Sequence, residues 1–331
     1  MSPSTRPPAH VPSGATVGVL ETNRTLAQRI ARVLRAATPG EEVAVESDPA
    51  SLRALLGSSP RLLAGDVSEL DLLLDWAHGR YRGAKVIVWC AGDATAALQA
   101  MRSAEALSSL VAFPSFLSMP RPWELLFAAR SALDPSAPPP RLAELMAWGA
   151  TTVKYRPTTS RERDLVVAEL GAVAERAGVA TRLAQKVGEV AHELVMNAMY
   201  DAPVDQYGEP RFAHDRTGDV RLRPEEAPTV RFAFDGSLIG LEVSDPFGLL
   251  RREHVVDGIV RGQRGDQEDD PSRLIDTSFG GAGLGLHRVY AAASSLVVRV
   301  SPGQETRVTV LFDADLGARE ARRMPVSLHL L

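Results

Sequence analysis

The sequence predicts two folded units, an α/β unit followed by an α+β unit, and three observations support this division. Five short apolar runs alternate with helical patterns in the first 133 residues, which is typical of a parallel α/β sheet. The proline-rich stretch LDPSAPPP at 133–140 favours an extended spacer. Beyond it, clustered helical patterns and paired strand patterns are typical of an α+β sandwich with helices on one face of a mixed sheet. We expect a disordered lead over 1–14, the α/β unit over 15–133, a connecting segment over 134–158, the α+β unit over 159–315 and a C-terminal tail over 316–331.

Composition excludes several classes of protein. The 331 residues, 45% of them hydrophobic, are enough for about two cores. The net charge of −4 and the scattered Lys and Arg give no basic stripe, so we expect no nucleic-acid partner. The single cysteine, Cys90, rules out an intramolecular disulfide and fits a reducing compartment. With no signal-peptide pattern and no apolar run long enough to span a bilayer, the sequence predicts a cytoplasmic protein without membrane insertion.

The first unit contains the strand patterns TVGVLE, EVAVES, RLLAGD, AKVIVWC and SLVAF, with helical patterns such as NRTLAQRIARVLRAA and PWELLFAARSAL. In this rhythm it resembles a response-regulator receiver, which implies a flavodoxin-like sheet. A receiver has an acidic pair, a phosphoacceptor Asp, a hydroxyl residue and a Lys at successive strand ends. Here those positions offer only Glu21, Asp66 and Cys90, and no lysine follows the fifth strand pattern. We therefore expect a pseudo-receiver that docks a partner, without phosphorylation of Asp66.

The second unit begins with helical patterns from about Thr159 to Ala177 and from Arg182 to Asp201, followed by a polar insertion over 204–228. TVRFAFDGSLIGLEVSD contains two alternating strand patterns joined by Asp235-Gly236, a strong hairpin signal. A charged, glycine-containing segment runs from Arg251 to Ile275. GGAGLGLHRVYAAA predicts a glycine turn that leads into a helix, and SLVVRVSPGQETRVTVLF predicts a final strand pair.

The helix that contains HELVMNAMYDAP carries polar residues where its own packing does not require them. At 100° per residue, one face collects the apolar residues Val187, Val190, Ala191, Leu194, Val195 and Ala198. The opposite face collects Lys186, Glu193, Asn197 and Tyr200. An isolated Glu and Asn one turn apart would simply be solvated, so their meaning depends on the elements that follow.

Three features follow one another in a distinctive order: Glu-x-x-x-Asn on a helix, an Asp that closes a hairpin strand, and a glycine-rich turn after a charged segment. In this order the chain resembles the GHKL (Bergerat-fold) ATPase family, which includes type II topoisomerase ATPase domains, Hsp90, MutL and histidine-kinase catalytic domains. Within the family, it is most similar to bacterial anti-sigma-factor serine kinases. The resemblance covers roughly Tyr155 to Asp313.

The resemblance implies ATP and Mg²⁺ as ligands and gives roles to individual residues. Asn197 would ligate the magnesium ion that bridges the phosphates, and Glu193 would polarise the attacking water or hydroxyl. Asp245 would accept a hydrogen bond from the adenine amino group, and the glycine turn would line the phosphates. The implied nucleotide-binding residues are Asn197, Asp245, Gly248, Gly281, Gly283, Leu284, Gly285 and Thr306.

The charged segment from Arg251 to Ile275 would form the lid over ATP. It has few apolar side chains and the acidic run DQEDD, so we expect it to be mobile without nucleotide. Arginines of the segment could engage the triphosphate when the lid closes. Those arginines are Arg251, Arg252, Arg261 and Arg264.

Two departures from the family pattern bear on function. The family has Asp-x-Gly-x-Gly where this chain has DPFGL, so Phe247 replaces the first glycine and Gly248 comes one place late. Tyr200 stands three residues after Asn197, where many histidine kinases have a basic residue that contacts phosphate. The first departure affects the adenine pocket, and the second removes one phosphate contact.

The leading hypothesis is a signalling protein whose GHKL module binds Mg-ATP and acts as a Ser/Thr protein kinase or an ATPase on a protein partner, such as a sigma factor, an antagonist or another regulator. The alternative is a non-catalytic interaction scaffold with a degenerate GHKL fold, which the DPFGL departure supports. A self-sufficient histidine kinase is a third hypothesis, but the helical pattern SRERDLVVAELGAVAERAG contains no phosphoacceptor His. A homodimer is compatible with all three.

Overall fold

The structure, a computed structural model, describes residues 14–115, 117–138, 140–265, 282–316 and 324–331. Within these residues, eleven strands form one continuous sheet. The first half of the chain supplies five strands at one end of the sheet, and the second half supplies the others.

The first half forms a parallel, doubly wound sheet. Its strands are β1 (Val17–Leu20), β2 (Val43–Glu46), β3 (Leu62–Asp66), β4 (Lys85–Cys90) and β5 (Leu107–Ala112). They pair in the order β2-β1-β3-β4-β5, all parallel, which is the strand order of flavodoxin-like sheets. The helices are α1 (Arg24–Ala37), α2 (Pro49–Leu55), α3 (Leu70–His78), α4 (Thr95–Met101) and α5 (Pro122–Leu133). The α/β class predicted for this half is confirmed.

Helices cover both faces of this parallel sheet. Asn23 begins α1, because its side chain accepts hydrogen bonds from the backbone N–H groups of Thr25 and Leu26 at 3.1 Å each. The helices α1 and α5 bury Ile30 and Leu125 against one face, while α2, α3 and α4 bury their apolar side chains against the other. Because helices cover both faces of the sheet, side chains on both faces are buried, and the strands are continuously apolar rather than alternating.

The second half forms an antiparallel sheet covered by helices. Its strands are β6 (Thr151–Tyr155), β7 (Thr229–Phe234), β8 (Leu238–Asp245), β9 (Ser295–Ser301) and β10 (Glu305–Asp313), in the order β9-β10-β8-β7-β6. The helices are α6 (Ser160–Arg176), α7 (Thr181–Met196), α8 (Arg252–Gly265) and α9 (Ala282–Ala292). Buried residues of α6, α7, α8 and α9 share one apolar cluster with Phe232 and Leu241 of the sheet. The predicted hairpin and final strand pair are confirmed, and β6 lies inside the segment 134–158 expected only to connect.

The two halves are joined by a strand that the sequence analysis did not predict. Residues Ser327–Leu330 form β11 within the region expected to be a C-terminal tail. This strand runs antiparallel to β5 and parallel to β9. The full order is therefore β2-β1-β3-β4-β5-β11-β9-β10-β8-β7-β6, and both halves belong to one sheet.

A buried polar contact fixes β11 in place. His329 is fully buried, and its Nδ1 and Nε2 lie 3.0 Å from Ser109 Oγ and 3.2 Å from Glu124 Oε1. Its ring also packs edge-on against Phe127, with the ring centroids 5.4 Å apart. Burial raises the pKa of the Glu124 carboxyl, but the hydrogen bond to His329 and nearby positive charge outweigh burial and hold that pKa below its usual range.

The expectation that the segment 251–275 buries little apolar surface is wrong for its first part, and its role as a lid stays a prediction. Residues Arg252–Gly265 form α8, and Val255, Val256 and Ile259 are buried in the core. The small number of apolar residues was misleading, because these residues share one helical face and pack against α9 and α4. Residues 266–275 lie outside the described part of the chain.

The Arg252 guanidinium is already hydrogen-bonded to backbone carbonyl groups, so it does not contact a triphosphate in this conformation. Its Nη1 donates to the carbonyl oxygens of Met101 and Leu107 at 3.0 and 2.9 Å, and its Nη2 donates to Leu330 O at 3.1 Å. These contacts attach α8 to the end of α4, to β5 and to β11. Among the described residues, no helix has the length and apolar character needed to cross a membrane.

Replacing His329 tests the role of β11. The variant His329→Leu should lower the free energy of unfolding by about 3 kcal/mol, because it removes the hydrogen bond to a buried carboxylate whose other charged neighbour, Arg121, lies 3.6 Å away. Urea unfolding of the whole chain measures this loss. The double variant Glu124→Leu, His329→Leu should recover part of it, and the matched change His78→Leu, at an exposed position of α3, should have little effect. Equal stability of His329→Leu and wild type would contradict the role given to this contact.

Candidate functional site

The buried face predicted for α7 is confirmed, but the residues of the polar face differ from the prediction at the C-terminal end of the helix. Val187, Val190 and Leu194 are buried as expected. After Met196 the helix widens into a π-helical turn, Asn197–Asp201, in which the Ala202 N–H donates to Asn197 O at 3.0 Å. Such turns are frequent at functional sites.

The π turn makes the expectation for Tyr200 wrong. A wheel of 100° per residue placed Tyr200 beside Glu193 and Asn197, but a wider turn shifts the phase, and Tyr200 is only 1% exposed. Its hydroxyl donates to Gly218 O at 2.9 Å and lies 3.1 Å from Ser160 Oγ. Asp201 instead has a partly exposed side chain one turn beyond Asn197. Tyr200 therefore anchors the polar insertion, and Asp201 extends the polar face.

Glu193 lies against the beginning of α9. A Cβ atom added to Gly285 would come within 2.6 Å of Glu193 Oε2, so any other residue there would require the Glu193 carboxylate to shift. Arg288 Nη1 donates to Glu193 Oε1 at 3.2 Å. Because α9 begins at Ala282, Gly283, Leu284 and Gly285 belong to the helix itself rather than to a turn before it. Gly281 lies outside the described residues.

Arg216 of the polar insertion occupies the far end of this face. Its Nη2 donates to Asn197 Oδ1 at 3.1 Å, and its Nε donates to Asp201 Oδ1 at 3.1 Å. Burial raises the pKa of Asp201 above its usual range, and the negative charge of Glu193 adds to this, while Arg216 opposes the shift. In this conformation the oxygen proposed to ligate magnesium already faces a cation.

Asp245 ends β8 and is nearly buried. It is 7% exposed, and it stands directly opposite Thr306 in the antiparallel pair of β8 and β10. Burial raises the pKa of Asp245 to about 6, although hydrogen bonds from the Phe247 N–H, at 3.0 Å, and from Thr306 lower it. The turn Asn197–Asp201 packs against β8, so Asp245 and Asn197 lie on neighbouring elements.

Gly248 has a structural reason to be glycine. Its φ is +64°, and an added Cβ would collide with the backbone oxygen of Ser301 and lie 2.8 Å from the nitrogens of Gly303 and Gln304. The turn between β9 and β10 therefore passes directly against Gly248. The glycine that comes one place late in DPFGL permits this packing.

The donor set suits a hard divalent cation, although a protein cation holds it here. The amide oxygen of Asn197 and the carboxylate of Asp201 are ligands that magnesium accepts, usually with only one or two protein oxygens and with phosphate oxygens beside them. No group of three or more His, Cys, Asp or Glu residues with metal-binding geometry occurs in the described ranges. A cation site here would therefore depend on a ligand to complete it.

The three receiver-like positions meet at one edge of the parallel sheet. Glu21 is 5% exposed and accepts hydrogen bonds from Trp89 Nε1 and the Asn23 N–H, each at 2.7 Å. Asp66 ends β3 and accepts from the Ser68 N–H at 3.0 Å. Cys90 ends β4, and burial raises its thiol pKa. Glu21 and Asp66 thus have structural partners within the protein.

Three residues of the site were not identified from the sequence: Asp201, Arg216 and Arg288. Asp201 follows Glu193 by two helical turns, so its spacing was a usable signal. Arg216 lies in an insertion without periodicity, and Arg288 lies in a helix whose neighbour was unknown. Only the folded structure brings these arginines to the acidic face.

Comparisons with known proteins do not assign the chain to a family. No protein-family model and no curated protein sequence matches it. Among solved structures, it is similar to a chain in the crystal structure of the SiaB-SiaC complex from Pseudomonas aeruginosa, with 15% identity and a TM-score of 0.32. The match covers 48% of this chain and 88% of that chain. A similarity of this size establishes neither a shared family nor a shared function.

The raised pKa of Asp245 predicts that ionisation of this side chain lowers the stability of the folded protein. The pKa of Asp245 is about 6 in the folded protein and 3.8 in the unfolded chain, so the folded state binds more protons between these two pH values. The free energy of unfolding therefore falls as the pH rises from about 4 to about 6. Asp245→Asn cannot ionise, so at pH 7 it should be more stable than wild type by about 1–3 kcal/mol.

Thermal unfolding between pH 3.5 and pH 7.5 measures this difference, which should vanish towards the acidic end of the range, about pH 4 and below. Asp235→Asn is the matched contrast, because backbone hydrogen bonds outweigh burial there and lower the pKa of Asp235. That variant should be less stable than wild type at pH 7. A stability difference for Asp245→Asn that does not change with pH would contradict the prediction.

Proposed function

We propose that the second half of the chain binds Mg-ATP and acts as a protein kinase or an ATPase in a signalling protein. One observation carries the proposal: Glu193 of α7 faces Gly285 in the first turn of α9, while the turn holding Asn197 packs against the strand that ends in Asp245. Three polar residues and one glycine that form an ordered motif in the sequence thus lie on three adjoining elements. The resemblance to GHKL proteins supplies the ligand.

Each element has a physical role in nucleotide binding. The N-terminal end of α9 carries partial positive charge and unpaired N–H groups, which favour phosphate. Gly285 lets the Glu193 carboxylate approach that end. The carboxylate of Asp245 lies in a nearly buried position where a hydrogen bond to an amino-bearing heterocycle would be strong. Thr306, opposite Asp245, completes that polar position.

The chemistry would rest on positioning and on one base. Magnesium, when bound, would neutralise charge on the phosphates. Asn197 and Asp201 offer oxygens to hold it. Glu193 would orient a water molecule or a partner's hydroxyl and accept its proton as the new bond to the γ-phosphorus forms and the bond from that phosphorus to the oxygen of the departing ADP breaks. The ion pair with Arg288 must loosen for this, and it is weak because the Arg288 side chain is 71% exposed.

A non-catalytic interaction scaffold is the second candidate, and a specific observation favours it. Arginines contact both Glu193 and Asn197 in this conformation, and DPFGL departs from the family pattern beside Asp245. In either case we propose a protein partner, with the first half as a pseudo-receiver for docking. The hydrogen bonds of Glu21 support a docking role over phosphorylation of Asp66, because they engage both of its carboxylate oxygens, which a magnesium site beside Asp66 would need.

Two substitutions separate binding from turnover. Glu193→Gln should retain Mg-ATP binding within a few-fold but lower phosphate release or transfer by about 100-fold, because the base is lost. Asn197→Ala should lose the magnesium-dependent part of ATP binding. Calorimetric titration with ATP, with and without magnesium, measures binding, and phosphate release measures turnover.

The matched control is Glu189→Gln, one turn earlier on an exposed position of α7, which should resemble wild type in both assays. Equal turnover in Glu193→Gln and wild type would refute the base role. Nucleotide binding without turnover in any variant would favour the scaffold.

A further inference from the structure

Arg216 stands where a metal ion would have to bind. Its guanidinium contacts Asn197 Oδ1 at 3.1 Å and forms an ion pair with both oxygens of Asp201. A divalent cation at the same oxygens would lie within a few ångströms of this positive charge, and the two would repel strongly at partial burial. Arg216 and magnesium therefore exclude each other at Asn197 in this geometry.

We propose that Arg216 is an autoinhibitory latch, which occupies the cation position beside Asn197 and Asp201 until the polar insertion moves. This inference rests on the proposed function, because it concerns the regulation of the same site. With the latch open, the carboxylate of Asp201 joins the Asn197 amide as a second oxygen ligand for magnesium. The insertion over 204–228 thereby controls access of Mg-ATP.

Hydrogen bonds fix the backbone of the insertion around Arg216, so this side chain is positioned more firmly than that of an ordinary surface arginine. Asp215 Oδ1 accepts hydrogen bonds from the N–H groups of Thr217 and Gly218, each at 3.0 Å, and so fixes the turn around Arg216. Tyr200 holds the carbonyl oxygen of Gly218, and Ser160 Oγ accepts from the Val220 N–H at 2.7 Å. The contact is preorganised by the same π turn that presents Asn197 and Asp201.

Local electrostatics explain why the position must hold a cation. The side chains of Arg216 and Asp201 are 22% and 21% exposed, so their ion pair is shielded from water more than a surface pair. Glu193 adds a second negative charge on the same face. Without Arg216, an amide oxygen and two carboxylates would share a partly buried site, and a divalent cation is the natural replacement.

Calorimetric titration of the whole chain with ATP, with and without magnesium, tests the latch. Compared with wild type, Arg216→Gln should bind Mg-ATP about tenfold more tightly, equivalent to about 1.4 kcal/mol, with little change in binding of ATP alone. Arg216→Lys keeps the charge and should stay close to wild type. Arg221→Gln, at an exposed position of the same insertion, is the matched control and should also match wild type.

The outcomes distinguish the latch from the proposed function. If wild type binds ATP but Arg216→Gln binds Mg-ATP equally or less tightly, the latch is overturned alone, since Arg216 would be a bystander or a phosphate contact. If none of the proteins binds nucleotide, both the latch and the proposed function are overturned. If Arg216→Gln melts at a lower temperature than wild type, both titrations are repeated at a temperature where circular dichroism shows both proteins folded, and a failure of Arg216→Gln to bind Mg-ATP more tightly there overturns the latch.

Discussion

The pairing of β11 between β5 and β9 is the constraint on which the arrangement of the molecule depends. Without these four residues, β5 and β9 would each present a row of unpaired backbone N–H and C=O groups. The strand satisfies both rows, and it brings a histidine into a fully buried position. That histidine is tolerated because Ser109 and Glu124 engage both of its ring nitrogens.

The same strand positions the helices that build the candidate site. Arg252 at the start of α8 donates to Leu330 O of β11 and to carbonyl oxygens at the ends of α4 and β5. Since α8 packs against α9, and α9 presents Gly285 to Glu193, the first turn of α9 has a fixed support. The exposed pair of Arg102 and Asp257 adds little to this support, whereas the buried face of α8 adds much more. The segment expected to be a free lid thus begins as a helix that packs against α9.

Sequence reasoning predicted what depends on local pattern and missed what depends on distant partners. Apolar runs and the Asp235-Gly236 pair identified the strands of both halves, and the helical wheel identified the buried face of α7 up to Met196. It failed at Tyr200, because periodicity carries no sign of a π turn. It failed at β11, because SLHL is too short to stand out and gains its stability from two strands far away in sequence. Arg216 was invisible for the same reason, since its partners are set by the path of an irregular insertion.

The negative charges of Glu193, Asp201 and Asp245 are balanced by different contacts. These contacts decide how easily each carboxylate could bind a ligand instead. Glu193 pairs with Arg288, whose side chain is 71% exposed, so water competes easily for that contact. Asp201 pairs with Arg216 where both side chains are about one-fifth exposed, so this contact is firmer and also holds Asn197. Asp245 is balanced only by hydrogen bonds and has a raised pKa. The Glu193 carboxylate is therefore the more easily released of the two paired carboxylates, while the oxygens of Asn197 and Asp201 are held by Arg216. Under the proposed function, control would fall on Arg216, because it is carried by a hydrogen-bonded turn of the polar insertion, whereas Arg288 could release Glu193 by a side-chain movement alone.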